Sequence, residues 1–214
     1  MKIHLCCGSI YLDGYINVDI EGYIIDELNG VLADKFNSRD EIVDTLNLEN
    51  GNPNKTTLEN YFKTPFIRNE NTRVKLKKEF IIDKQMNILD KWDFEDNSVD
   101  EIVMISCIEH FNPKTELPHI FNEINRVMKK NGKLIIDFPD IKKQVEQFID
   151  SEPEWCMELI YCNHRHQYAI HHWGFTQKSF PKWLGENWNY LFCDTEDFVV
   201  KHDYPMIGCY AVKK

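Results

Sequence analysis

Short apolar runs recur along this chain, and most of them end in a cluster of small or polar residues. Residues 3–5 (Ile-His-Leu) run into Cys6-Cys7-Gly8-Ser9, and residues 16–20 (Ile-Asn-Val-Asp-Ile) alternate apolar and polar up to Asp19. Brief runs and period-two alternation bounded by turn residues are the pattern of strands. Between residues 21 and 79 the signal weakens. Residues 47–60, rich in Asn, Pro, Gly and Thr, read as a loop, with amphipathic turns at 40–48 and 58–62. Regularity returns with strands at 80–83 and 101–105, the second preceded by the turn residues Glu95-Asp96-Asn97-Ser98. Residues 118–128 place Ile120, Phe121, Ile124, Val127 and Met128 at helical spacing, and Lys129-Lys130-Asn131-Gly132 supplies the basic last turn and glycine of a helix stop. A strand at 133–137 and a helix at 141–149 follow, then two strand candidates at 191–200 and 206–212 joined by a turn. Strands alternating with helices and a terminal antiparallel pair predict an α/β fold. The expected sheet is doubly wound and mostly parallel, with helices on both faces and an edge strand that runs backwards.

Composition narrows the functional classes. At 214 residues, 43% hydrophobic and 13% aromatic, the chain can build one sizeable core. The expected organisation is a single domain over 1–214, with an insertion at about 21–79 between the second and third strands. The net charge of -10 argues against a nucleic-acid partner, whose phosphates require clustered Lys and Arg. Seven scattered cysteines without a CxxC pair predict neither a disulfide framework nor a zinc knuckle. The first residues carry no signal-peptide pattern, and no apolar run approaches the roughly 20 residues that span a bilayer. The expected setting is therefore the reducing cytoplasm, with no membrane partner.

The candidate chemistry begins at Leu5-Cys6-Cys7-Gly8-Ser9 and continues through Gly14-Tyr15-Ile16-Asn17-Val18-Asp19. A strand, a small-residue turn and an acid closing the next strand make a kit for a nucleotide-like ligand. Small residues let the backbone approach it, and a carboxylate accepts from both ribose hydroxyls. Ordinary turn glycines and a capping aspartate would produce the same string. Further along stand residues 87–100 (Asn-Ile-Leu-Asp-Lys-Trp-Asp-Phe-Glu-Asp-Asn-Ser-Val-Asp), then Ser106-Cys107-Ile108-Glu109-His110-Phe111 just past a strand end. Ligands of open α/β sheets sit beyond the carboxyl ends of the strands. Four of the eight histidines fall in His164-Arg165-His166 and His171-His172-Trp173-Gly174-Phe175-Thr176. That cluster suits a metal site, contact with a substrate, or packing, although no spacing matches a known zinc helix.

In order and spacing these strings resemble the class I, Rossmann-like S-adenosylmethionine-dependent methyltransferases, over residues 1–20 and 80–185. The resemblance implies a seven-stranded sheet, S-adenosylmethionine as cofactor and a small-molecule methyl acceptor. On this reading Cys7 and Gly8 lie in the cofactor turn, and Asp19 holds the ribose. Asn87 stands where the family has the acid that receives the adenine amino group, Ile88 lines the base, and Ser106 stands where a histidine is common. Glu109 and His110 match the family's Glu-His pair near the acceptor, with His110 a candidate general base. His171, His172 and Trp173 match a segment that lines the active-site mouth. No metal is expected. The stretch Arg126–Asp137 is close to an architectural helix-glycine-strand string of the family. Cys6, Asn87 and Ser106 depart from the family pattern, and these departures favour an alternative, a catalytically inactive binding or scaffold module. A dinucleotide-dependent oxidoreductase is weaker still, because no GxGxxG follows the first strand.

Overall fold

The structure is a computed structural model in which residues 1–8, 10–24, 55–63, 81–162, 167–193 and 204–214 are described. The main sheet has seven strands: β1 (Lys2–Leu5), β2 (Ile16–Asp19), β3 (Lys84–Gln85), β4 (Val99–Met104), β5 (Met128–Pro139), β6 (Trp188–Cys193) and β7 (Met206–Lys213). Their spatial order is β6-β7-β5-β4-β1-β2-β3. β1 pairs in parallel with β2 and β4, β2 with β3, and β4 with β5. β7 runs antiparallel to both β5 and β6. The strand that runs backwards therefore lies inside the sheet, not at its edge as expected. Burial gives the reason. Met206, Ile207, Gly208 and Cys209 of β7 are all buried, whereas Asn189, Tyr190 and Leu191 of β6 are exposed. The more continuously apolar strand takes the interior place.

Helices cover both faces, as the alternation of the strands requires. On one face Ile3, Leu5, Val18, Ile102, Met104, Leu134 and Ile136 pack with Leu117, Ile120, Phe121, Ile124 and Val127 of α2 (Leu117–Val127). On the other, Val103, Ile105 and Ile135 pack with Leu12 and with Leu58 of α1 (Leu58–Lys63). Helices α3 (Ile141–Phe148) and α4 (Pro153–Tyr161) meet through Phe148, Cys156 and Leu159, and α5 (Pro181–Leu184) buries Leu184 in the main core. Among the described residues no helix is long and apolar enough to cross a membrane.

Several boundaries differ from the sequence pattern. α2 ends at Val127, and Met128 is already extended (φ -72, ψ 130), so Lys129-Lys130-Asn131-Gly132 belongs to β5 and not to a helix stop. A Cβ on Gly132 would lie 2.8 Å from the Lys129 carbonyl and collide with the Met128 sulfur, so that glycine serves close packing. Within the expected loop at 47–60, Lys55–Thr56 pairs in parallel with Tyr11–Leu12 and Leu58 begins α1. Ile81–Ile82 pairs with Tyr23–Ile24, apart from the main sheet. The readings at Ser9, 40–48, 163–166 and 194–200 fall outside the described residues.

Candidate active site

The parallel strands β2, β1 and β4 end side by side, and the candidate residues follow those ends. Leu5 of β1 is registered with Val18 of β2 and with Met104 of β4. Beyond β1 the chain turns through Cys6 (φ 52) to Gly8 (φ 51), whose N–H donates to Asp19 Oδ2 at 2.8 Å. Asp19 Oδ1 accepts from Ile20 N–H at 2.7 Å and Glu21 N–H at 3.4 Å. Burial raises this carboxyl, and the three backbone donors oppose the shift. Among the described residues nothing lies within 4 Å of where a Cβ on Gly8 would stand, so the turn leaves open space there. The Asp19 carbonyl accepts from Met86 N–H at 2.8 Å, which brings Asn87 next to the same strand end. Asn87 Oδ1 accepts from Leu89 N–H at 3.0 Å, using one of its two lone pairs. Ile88 is packed in the main core, and the Cys7 thiol is buried and pushed well up by that burial.

Beyond β4 the chain passes through Ser106, again left-handed (φ 47), into the 3-10 turn Ile108–His110. Non-glycine residues held at positive φ carry strain that concentrates at functional sites. Ser106 N–H donates to Asp137 Oδ1 at 2.6 Å, tying the end of β4 to β5. Asp137 is 1% exposed and burial pushes its carboxyl up to about 7. Glu109 is 2% exposed and is driven well above the carboxylate range, first by burial and further by the charge of Asp137, against its own backbone N–H. Glu109 Oε2 and Asp137 Oδ2 are buried and accept no hydrogen bond among the described residues.

The histidine segment closes onto this turn through its backbone. The Glu109 carbonyl accepts from His172 N–H at 2.8 Å and from Trp173 N–H at 3.2 Å. His110 Nδ1 lies 3.1 Å from the Ile170 carbonyl, and His171 Nδ1 lies 3.0 Å from the Leu159 carbonyl. A carbonyl only accepts, so both Nδ1 atoms carry the proton and both lone pairs lie on Nε2. The two rings meet edge-on, 4.8 Å between centroids. Phe175 bridges to Asp140 at the end of β5, while His172 and Trp173 are exposed. The candidate residues thus form two groups: Cys7, Gly8, Asp19 and Asn87 around β1–β3, and Glu109, His110, His171, His172 and Trp173 beyond β4.

Three features of the site were missed in the sequence. Asn17, in the middle of β2, takes Leu12 N–H (2.8 Å) on Oδ1 and donates from Nδ2 to the Leu12 carbonyl and Asp83 Oδ2, fixing the turn between β1 and β2. A polar residue inside an apolar strand was the available signal. Asp137 was taken as a strand terminus, but β5 continues past it. The absence of a disulfide is also corrected: Cys6 and Cys107 are bonded, with Cα atoms 6.1 Å apart. Because β1 and β4 are neighbours, the residues leaving their ends meet although 101 positions separate them. A separate cleft of about 360 Å³ lined by Lys2, Asp100, Glu101, Lys129 and Lys133 opens at the amino end of β1 and β4, away from both groups.

Residues 61–136 match a family described as a methyltransferase domain. Among solved structures, a possible exported protein from Bordetella parapertussis superposes with a TM-score of 0.50 at 13% identity, over 99% of this chain and 61% of that one. A protein from Pyrococcus horikoshii matches at 16% identity and TM-score 0.48, over 100% and 81% of the two chains. A SAM-dependent methyltransferase from Thermotoga maritima, described as a possible histamine N-methyltransferase, matches at 15% identity and TM-score 0.40, over 67% of each chain. At these identities the likeness is one of fold. No curated protein sequence matches the chain.

Proposed function

We propose that the chain is a class I, Rossmann-like methyltransferase domain, a reading supported by its sheet order and by the family match over residues 61–136, and that it moves a methyl group from S-adenosylmethionine to an oxygen or nitrogen of a small molecule. One observation carries the reading. The Gly8–Asp19 hydrogen bond gathers the glycine turn and the acid at one point, with space left beside Gly8. Those residues fit a ribose that must approach backbone closely and give two hydroxyl hydrogens to one carboxylate. Asn87 Oδ1 offers its second lone pair to the adenine amino group, with Ile88 beneath the base. Cys7 and Ser106 flank the methionine side, at the ends of β1 and β4.

When bound, S-adenosylmethionine supplies a sulfonium-activated methyl group for in-line displacement. The protein's own task is then alignment of the nucleophile and removal of its proton. Glu109, His110, His171, His172 and Trp173 form the acceptor side, and the lone pair on His110 Nε2 suits it to take that proton. The net charge of -10 supports a small acceptor over a nucleic acid.

Calorimetry with S-adenosylhomocysteine tests the cofactor half. The wild-type chain binds it, and Asp19→Ala weakens binding by at least about tenfold, some 1.4 kcal/mol. No heat at millimolar ligand refutes the proposal. The Cβ of Cys6 in the turn favours a second reading, a module that binds the cofactor without turnover. Binding of S-adenosylhomocysteine with no methyl transfer to any of a panel of small hydroxyl and amine acceptors would select that reading.

A further inference from the structure

We propose that Cys6 and Cys107 are a reversible oxidation site, a thiol–disulfide pair whose state sets how firmly the turns beyond β1 and β4 are held. The device itself stands on the fold, whereas its control of S-adenosylmethionine affinity rests on the function proposed above.

The bond lies between the two groups of candidate residues. Cys6 leaves β1 and precedes Cys7 and Gly8, whose N–H groups donate to the Val18 carbonyl at 3.1 Å and to Asp19 Oδ2 at 2.8 Å. Cys107 opens the 3-10 turn that carries Glu109 and His110, and its carbonyl accepts from His110 N–H at 3.1 Å. Both ends of the bond meet left-handed backbone: Cys6 has φ 52, and Ser106, directly before Cys107, has φ 47. A residue with a Cβ resists that conformation. Each exit, left alone, is drawn towards ordinary backbone, and the covalent link opposes that pull. One bond therefore steadies the turn that presents Gly8 to Asp19 and the turn onto which His172 and Trp173 dock.

The pair is also placed to exchange. Cys107 is 3% exposed, whereas Cys6 is half-buried, so a small thiol meets the Cys6 sulfur first. Its thiolate attacks Cys6 Sγ, the S–S electron pair leaves on Cys107 Sγ, and Cys107 takes the proton that the small thiol gave up. A second small thiol then displaces the first from Cys6 in the same way. In sum two small thiols become one small disulfide, and the protein gains two electrons and two protons. Glutathione disulfide runs the sequence backwards. Neighbouring Cys7 does not compete, because burial, reinforced by the charge of Asp19, keeps its thiol protonated.

The test compares the oxidised chain with the chain reduced by dithiothreitol, under conditions in which near-UV circular dichroism shows both folded. In calorimetry with S-adenosylhomocysteine, reduction weakens binding by about fivefold or more, because the ligand must then hold Cys6 left-handed without the bond. Reoxidation with glutathione disulfide restores the affinity. Cys107→Ser binds as the reduced protein does, with or without reductant. Cys6→Gly adopts φ 52 freely, so it binds within about twofold of the oxidised protein and ignores reductant. Amide hydrogen exchange gives a reading that needs no ligand. Reduction speeds exchange at Gly8, His172 and Trp173 by about tenfold relative to the amides that pair β4 with β5. A bond that merely stabilises the fold leaves the affinity of the folded protein unchanged and speeds turn and strand amides alike; either result overturns the proposal. If neither oxidation state binds S-adenosylhomocysteine, the cofactor reading fails, and the exchange contrast alone upholds or overturns the switch.

Discussion

His4 makes the stability of the fold depend on pH in a way that can be worked out in advance. It lies in the middle of β1, is 1% exposed, and donates Nδ1–H to Asn17 Oδ1 at 3.2 Å. Burial lowers its pKa from 6.5 to about 4, with the Asn17 bond opposing. Between those values the unfolded chain binds a proton that the folded chain refuses, so stability is lost as pH falls. The loss begins below 6.5 and is nearly complete at about 4. One pKa unit is worth about 1.36 kcal/mol, so a shift of about 2.5 units amounts to about 3 kcal/mol. His4→Gln removes the titration while keeping an N–H within reach of Asn17. Urea denaturation at pH 7, 5.5 and 4 reads the effect. At pH 7 the variant is less stable by about 1 kcal/mol, for the lost packing. At pH 4 the order reverses, because only the wild type must deny His4 its proton. Parallel stability–pH curves for the two proteins would falsify the argument, since other titrating groups are common to both.

Other consequences are as direct. In the oxidised protein, thiol titration under denaturing conditions counts five free cysteines, rising to the full seven after reduction. Reduction, or Cys107→Ser, lowers unfolding free energy by up to about 4 kcal/mol, because the bond closes a loop of about 100 residues; a count of seven before reduction contradicts the bond. Asp137→Asn retains an acceptor for Ser106 N–H and removes a carboxyl raised from 3.8 to about 7, so its stability relative to the wild type climbs as pH rises from about 4 to about 7 and levels off above that. A pH-independent difference in melting temperature would refute that. Gly132→Ala drives a methyl group against the Met128 sulfur and the Lys129 carbonyl and costs about 1–3 kcal/mol; an unchanged melting temperature would show that β5 relaxes there.

The parts legible in the sequence were those whose signal is local and long. β4, α2 and the apolar half of β5 each bury a run of side chains at one period, so their existence and order could be read directly. The two-residue pairings of Tyr11–Leu12 with Lys55–Thr56, and of Tyr23–Ile24 with Ile81–Ile82, contain too few positions to show any period. The place of β7 was hidden for another reason. Antiparallel direction follows from a short connection, but interior or edge position depends on a comparison of burial between two strands. The end of α2 was misplaced because basic residues and a glycine signal a stop equally well inside a strand that needs close packing.

In the site, the same distinction separates what could be read from what could not. Gly8 and Asp19 could be singled out as candidates because the roles proposed for them depend on residue type, a missing side chain and a carboxylate, and the fold joins the two by a hydrogen bond. The docking of His172 and Trp173 onto Glu109 is made by backbone amides, which any sequence possesses, so only the density of histidines hinted at it. The Cys6–Cys107 bond had no local signal at all. It exists because β1 and β4 are adjacent, and adjacency is a property of the sheet order. Cys6 also explains why glycine is usual at its position. The turn out of β1 requires φ 52 there, which glycine adopts without strain and cysteine adopts at a cost of roughly 1 kcal/mol. A bond to Cys107 offsets that cost in the oxidised chain, so the departure from the family pattern and the disulfide have one structural origin.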